Sequence, residues 1–122
     1  MKTVSLEIAK QLHEAEFPQE SFLCWFEFKH GWDLAPTATM LTEVRRIRSG
    51  YVGKEIIQAP TADEILDELP EYVDNRYMSI WKEDGVWFFE YDEHTEIPII
   101  KGNCLVDACA KMWLYLKKEG LL

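Results

Sequence analysis

The chain has 122 residues, 48 % hydrophobic and 13 % aromatic, with 22 acidic against 13 basic side chains and a formal charge of −9. Such a length and apolar content exclude a disordered chain and support one core, expected as a single globular α+β domain over residues 1–122. The acidic balance argues against nucleic acid as a partner, because phosphate binding needs a concentrated basic face. No apolar run approaches the ~20 residues of a membrane span, and Met1 to Glu7 lacks a signal-peptide core, so a cytoplasmic protein with no membrane partner is expected.

Residues 5–16 read as a first helix, with Ser5 as cap, Ile8, Leu12 and Ala15 on one face, and Phe17-Pro18 as the stop. The period then changes to two. Phe22, Cys24, Phe26 and Phe28 alternate with Leu23, Trp25 and Glu27, and His30-Gly31 turns the chain into Trp32-Asp33-Leu34, which makes a hairpin. Met40 to Ile47 suits a strand or a short helix equally, Ser49 to Gly53 reads as a loop or bulge, and Lys54 to Gln58 as a short strand. Thr61 with Glu64 forms a capping box for a second helix that buries Ile65, Leu66 and Leu69 and stops at Pro70.

Tyr77–Lys82 and Val86–Tyr91 flank Asp84-Gly85, a pair that accepts the positive φ of a type I′ turn. Ile97-Pro98-Ile99-Ile100 adds an edge strand, since Pro98 has no N–H for a ladder. Asn103 to Leu122 reads as a helix capped by Asn103, with Leu105, Ala108, Cys109, Met112, Trp113 and Leu116 inward and Gly120 as its stop. The architecture expected is α+β: an antiparallel sheet of about five strands with three helices packed on it. Helix, proline, strand, glycine turn and Trp-bearing strand occur in both halves, and Ala35-Pro36-Thr37-Ala38 echoes Ala59-Pro60-Thr61-Ala62, a weak internal α-β-β repeat.

Few residues carry chemistry. Arg45, Arg46, Arg48 and Lys54 around Gly50-Tyr51-Val52-Gly53 resemble a backbone-clamping GxxG loop, but Pro60 and the cap at Thr61 leave no room for the helix such a loop needs. Asp92, His94 and Glu96 form an acid/base or metal cluster, against the plainer reading of a charged loop at a strand end. Cys24, Cys104 and Cys109 are odd in number and sit in apolar patterns, as structural thiols do. No cofactor motif is present, and no cofactor is expected. Five tryptophans are dense for this length, and Trp25, Trp32, Trp81 and Trp87 are candidates for an aromatic partner-binding patch.

Ala59 to Glu64 running into Leu69-Pro70, together with Asp107 to Leu114 and Gly120-Leu121-Leu122, resembles small uncharacterised proteins of bacteriophages, prophages and mobile elements. The opening helix ending in Phe17-Pro18-Gln19 is similar too, with Glu16 where a glycine is expected. The resemblance implies no activity and assigns no site residues. Three readings follow. The first is a non-enzymatic accessory protein acting through an unknown protein partner or by homo-oligomerisation. The second is an acidic inhibitor or immunity-type protein that blocks a basic or nucleic-acid-binding partner. The third is a small metal-assisted hydrolase built on Asp92, His94 and Glu96.

Overall fold

The computed structural model describes residues 2–40 and 51–122; the stretch 41–50, with the strand-or-helix question over Met40 to Ile47 and with Arg45, Arg46, Arg48 and Gly50, lies outside the described residues. The chain divides into two compact units, Thr3–Thr61 and Ala62–Leu122. The class is α+β, with the strands shared between a three-stranded and a four-stranded sheet.

In the first unit Ser5 opens α1 (Leu6–Glu14), its Oγ accepting from the Ile8 N–H at 3.4 Å, and Ile8, Ala9 and Leu12 are buried. The helix stops before Pro18. Glu16 turns left-handed at φ 59°, its N–H donates to the His13 carbonyl at 3.1 Å, and the Phe17 N–H donates to Leu12 at 3.0 Å. This is a Schellman stop with glutamate in the glycine position. A side chain in that conformation costs ~1 kcal/mol, so Glu16→Gly is expected to raise the unfolding free energy by about 1 kcal/mol. The check is a higher urea midpoint at unchanged slope.

β1 (Leu23–Phe28) pairs with β2 (Gly31–Pro36) across Lys29-His30 and, on its other side, with β3 (Tyr51–Gln58), giving the order β2-β1-β3. Alternation puts Cys24, Phe26 and Phe28 in a buried cluster with Ala35 and Ile56. Phe22 does not join them. It lies in a bend before the strand begins and is 60 % exposed. Between the pairs Phe26↔Ile56 and Phe28↔Tyr51, two steps along β1 face five along β3, so the described part of the loop or bulge read over Ser49 to Gly53 is an irregularity within β3. α2 (Thr37–Met40) is a single turn. A polar network ties these ends together. The Ser21 N–H donates to Gln58 Oε1 at 2.6 Å, Thr37 Oγ1 donates to the Ser21 carbonyl at 2.9 Å, and Cys24 Sγ lies 2.7 Å from Thr37 Oγ1.

The second unit opens with α3 (Ala62–Leu66), which buries Ile65 and is followed by buried Leu69. Then come β4 (Tyr72–Val73), β5 (Arg76–Glu83), β6 (Val86–Tyr91) and β7 (Ile100–Gly102), paired antiparallel in that order, and α4 (Leu105–Lys118). Asp84 and Gly85 take positive φ, as the type I′ reading requires. So do Asp74 and Asn75, which close β4 on β5 in a second hairpin that the sequence reading missed. The edge strand starts at Ile100, past Pro98. Lys111 Nζ donates to the Lys101 carbonyl in that strand at 3.3 Å.

α4 packs on β6, β7 and α3, burying Val106, Ala108, Cys109, Ala110, Met112, Trp113 and Leu116. Its cap is Cys104, not Asn103: Cys104 is extended and its carbonyl accepts the Ala108 N–H at 3.2 Å, so the helix begins one residue later than Asn103 could cap. Its end follows the sequence reading. Gly120 sits at φ 71°, and the Leu121 N–H reaches the Leu116 carbonyl at 2.9 Å. Both units share the helix–proline–strand–turn–strand order, but β3 joins the first strand of its hairpin whereas β7 joins the second strand of its own. The recurrence is one of element order. Among the described residues no helix is long and apolar enough to cross a membrane.

Candidate functional site

The cluster read from sequence at Asp92, His94 and Glu96 lies on the loop after β6. The chain leaves β6 through Asp92 and Glu93, both at positive φ, and the His94 N–H donates to the Tyr91 carbonyl at 2.8 Å. That turn brings the imidazole to Asp74 of the β4–β5 turn, with Nε2 2.9 Å from Asp74 Oδ2. The Glu96 N–H donates to Nδ1 at 3.1 Å. A backbone N–H can only donate, so Nδ1 is the acceptor and the neutral ring carries its proton on Nε2, facing the carboxylate. Both nitrogens are thus committed. The His94 side chain is 8 % exposed while Asp74 is 74 % exposed, so the ring is a buried pin beneath a solvated carboxylate.

Asp92 and Glu96 take part through their backbones. The Asp92 carbonyl accepts from Arg76 Nη1 at 3.5 Å, and the Glu96 carbonyl accepts from the Tyr115 hydroxyl at 2.9 Å. A cavity of about 260 Å³ opens here, lined by Asp74, Arg76, His94, Thr95 and Glu96. It is mostly polar, where ligand pockets are mostly apolar with a few placed polar groups. Among the described residues no group of three or more His, Cys, Asp or Glu side chains is placed to hold a metal ion. The arrangement braces a loop. It offers no unshared imidazole lone pair to a metal.

The four tryptophans are divided between the two units, two in each. In the first, Trp25 and Trp32 lie on the sheet face toward α1: Trp25 Nε1 donates to the Val4 carbonyl at 3.4 Å, and Lys10 Nζ sits 5.3 Å above the Trp32 ring. In the second, Trp81 pairs with Phe88 and Trp87 with Lys82, which places the two indoles on opposite faces of the β5–β6 hairpin. The Trp87 face, with Phe89 and Tyr91, carries the core and meets α4 through Gly102.

The Trp81 face is different. Trp81 and Phe88 stack at 5.3 Å and 10°. Along the same face, Ser79 pairs with Glu90, and Tyr72 pairs with Tyr77 at 5.5 Å and 58°. Tyr72 is 53 % and Tyr77 61 % exposed. α4 packs on the opposite side of the sheet. The tyrosine pair and the Asp74 brace escaped the sequence reading; Asp74-Asn75 between Tyr72-Val73 and Arg76-Tyr77 was the available hairpin signal.

None of the three cysteines is in a disulfide; Cys24 and Cys109 are buried and Cys104 is half-buried. Burial first, and then the charges of Asp63 and Cys104, push the Cys109 thiol up to about 12. A thiol reagent such as dithionitrobenzoate at neutral pH is therefore expected to titrate one fast group in the folded protein and all three after unfolding. Loss of the fast phase in Cys104→Ser would assign it. No known protein family matches this chain, and comparison with curated proteins and with solved structures returns no match.

Proposed function

We propose that this chain is a non-catalytic accessory protein, of the phage or mobile-element kind it resembles, that works in the cytoplasm by binding a protein partner through the aromatic face of the β4–β7 sheet. The observation that carries this reading is the alignment of two cross-strand aromatic pairs, Tyr72–Tyr77 and Trp81–Phe88, on the sheet face opposite α4. Tyr and Trp are the side chains that most often anchor protein interfaces, because they cover much apolar area at little entropic cost. His94, the imidazole of the cluster read from sequence, spends both nitrogens on loop bracing, which weighs against acid–base or metal chemistry there.

The test compares the wild type with Tyr77→Ala/Trp81→Ala, tagged and exposed to lysate of the native host, alongside sedimentation of each protein alone. A partner held by the wild type and lost by the variant supports the reading. A dimer of the wild type that the variant cannot form gives the same face to self-association. Identical behaviour of the two proteins in both assays removes the face from function.

A further inference from the structure

We propose that the Tyr72–Tyr77 pair seats a lysine or arginine side chain presented by a basic segment of the partner protein; this rests on the reading that the β4–β7 face binds protein. Asp74-Asn75 form a two-residue turn, so Val73↔Arg76 is its closing pair and Tyr72↔Tyr77 the next one out. In that second pair the strands approach more closely and side chains stand near each other. The rings meet at 58° and both are more than half exposed, and ring faces attract cations through their quadrupole.

The same unit already uses this chemistry on its other rings. Lys82 lies 5.7 Å above Trp87, Lys101 lies 5.8 Å above Phe88, and Lys117 lies 6.0 Å from Trp113. Among the described residues, the tyrosine pair has the most exposed rings of this unit, and the cation–ring contacts of the unit lie on other rings. The tyrosine end of this face is flanked by carboxylates, while its one described lysine, Lys101, stands over Phe88 at the other aromatic pair. Glu90 stands on this face opposite Ser79, one same-side position beyond Tyr77, or ~7 Å along the strand. Glu83 follows at the far end of β5, and Glu71 precedes Tyr72. A basic segment laid along β5 would meet aromatic, carboxylate and aromatic groups in turn, within a chain of net charge −9. A polyanion would meet Glu90 and Glu83 instead.

The full chain is titrated by calorimetry with an eight-residue alternating arginine–serine peptide, its glutamate–serine counterpart, and a twelve-residue oligothymidylate. Only the arginine peptide is expected to bind. Tyr72→Ala/Tyr77→Ala leaves the net charge unchanged and is expected to weaken it about tenfold, within the range of a two-ring cation site. Tyr72→Phe/Tyr77→Phe keeps the rings and should stay within about threefold of wild type. Equal affinity of the alanine and phenylalanine variants overturns the proposal, as does tighter binding of the oligothymidylate. Should the lysate partner depend on Tyr77 and Trp81 while the peptide ignores the tyrosines, the face stands as an interface and the cation seat falls. If neither depends on them, both fall.

Discussion

Gly102→Ala is expected to lower the unfolding free energy by about 3 kcal/mol, at the upper end of what overpacking one methyl costs. A Cβ at this position would stand 2.6 Å from the Ala108 nitrogen, 3.0 Å from its Cα and 3.0 Å from the Cys104 carbonyl oxygen. All three are backbone atoms at the start of α4, so no rotamer change can relieve the contact. The glycine is needed for proximity, because it lets β7 lie directly against the first turn of the helix. Urea unfolding of wild type and variant measures the effect. A difference under about 0.5 kcal/mol, the scatter of ordinary surface changes, would mean that helix and strand are farther apart than described.

Stability is expected to fall steeply above pH 9. The Cys109 thiol has an ordinary value of 9.0 when unfolded and about 12 when folded, chiefly because burial disfavours the thiolate. Between those values the unfolded chain releases a proton that the native chain keeps, so rising pH favours unfolding. The stabilisation is complete below pH 9 and drains away toward pH 12, at about 1.4 kcal/mol per pH unit once the unfolded thiol is ionised. Tyr91 adds to the slope above its ordinary value of 10.0, since burial, and next the charge of Cys109, raise it further. Its hydroxyl donates to the Pro70 carbonyl at 2.8 Å. Urea midpoints taken at one-unit steps from pH 8 to 11 trace the loss, and Tyr91→Phe should flatten its upper part. A level profile across that range would show that water reaches both groups in the native state.

The elements most legible in the sequence are those fixed by neighbours in the chain. Gly120 stops α4 and Asp84-Gly85 turns the β5–β6 hairpin because each signal acts over four or five residues. Glu16 was legible as an irregularity: it stands where glycine is expected, and the backbone takes the left-handed turn anyway because Phe17 and Leu12 close it. What stayed hidden depends on distant pairing. The division into two sheets rests on β1 choosing β3, some thirty residues on, over a strand of the second hairpin. His94 illustrates the same limit within the candidate site. Its sequence neighbours Asp92 and Glu96 suggested a shared chemistry, yet the carboxylate that meets the ring belongs to Asp74, twenty positions earlier.

The chain's most β-prone window, Val86-Trp87-Phe88-Phe89-Glu90-Tyr91, is the kind of segment that seeds fibrils when its edges are free. Here it is β6, hydrogen-bonded on one side to β5 and on the other to β7. The outer strand is short, preceded by Pro98, and has the Lys101 carbonyl occupied by Lys111, features that blunt a sheet edge against a second molecule. Three residues of β7 therefore act as gatekeepers. Colloidal behaviour should track how often that strand detaches more closely than how often the whole chain unfolds, and a change that loosens β7 alone would promote aggregation.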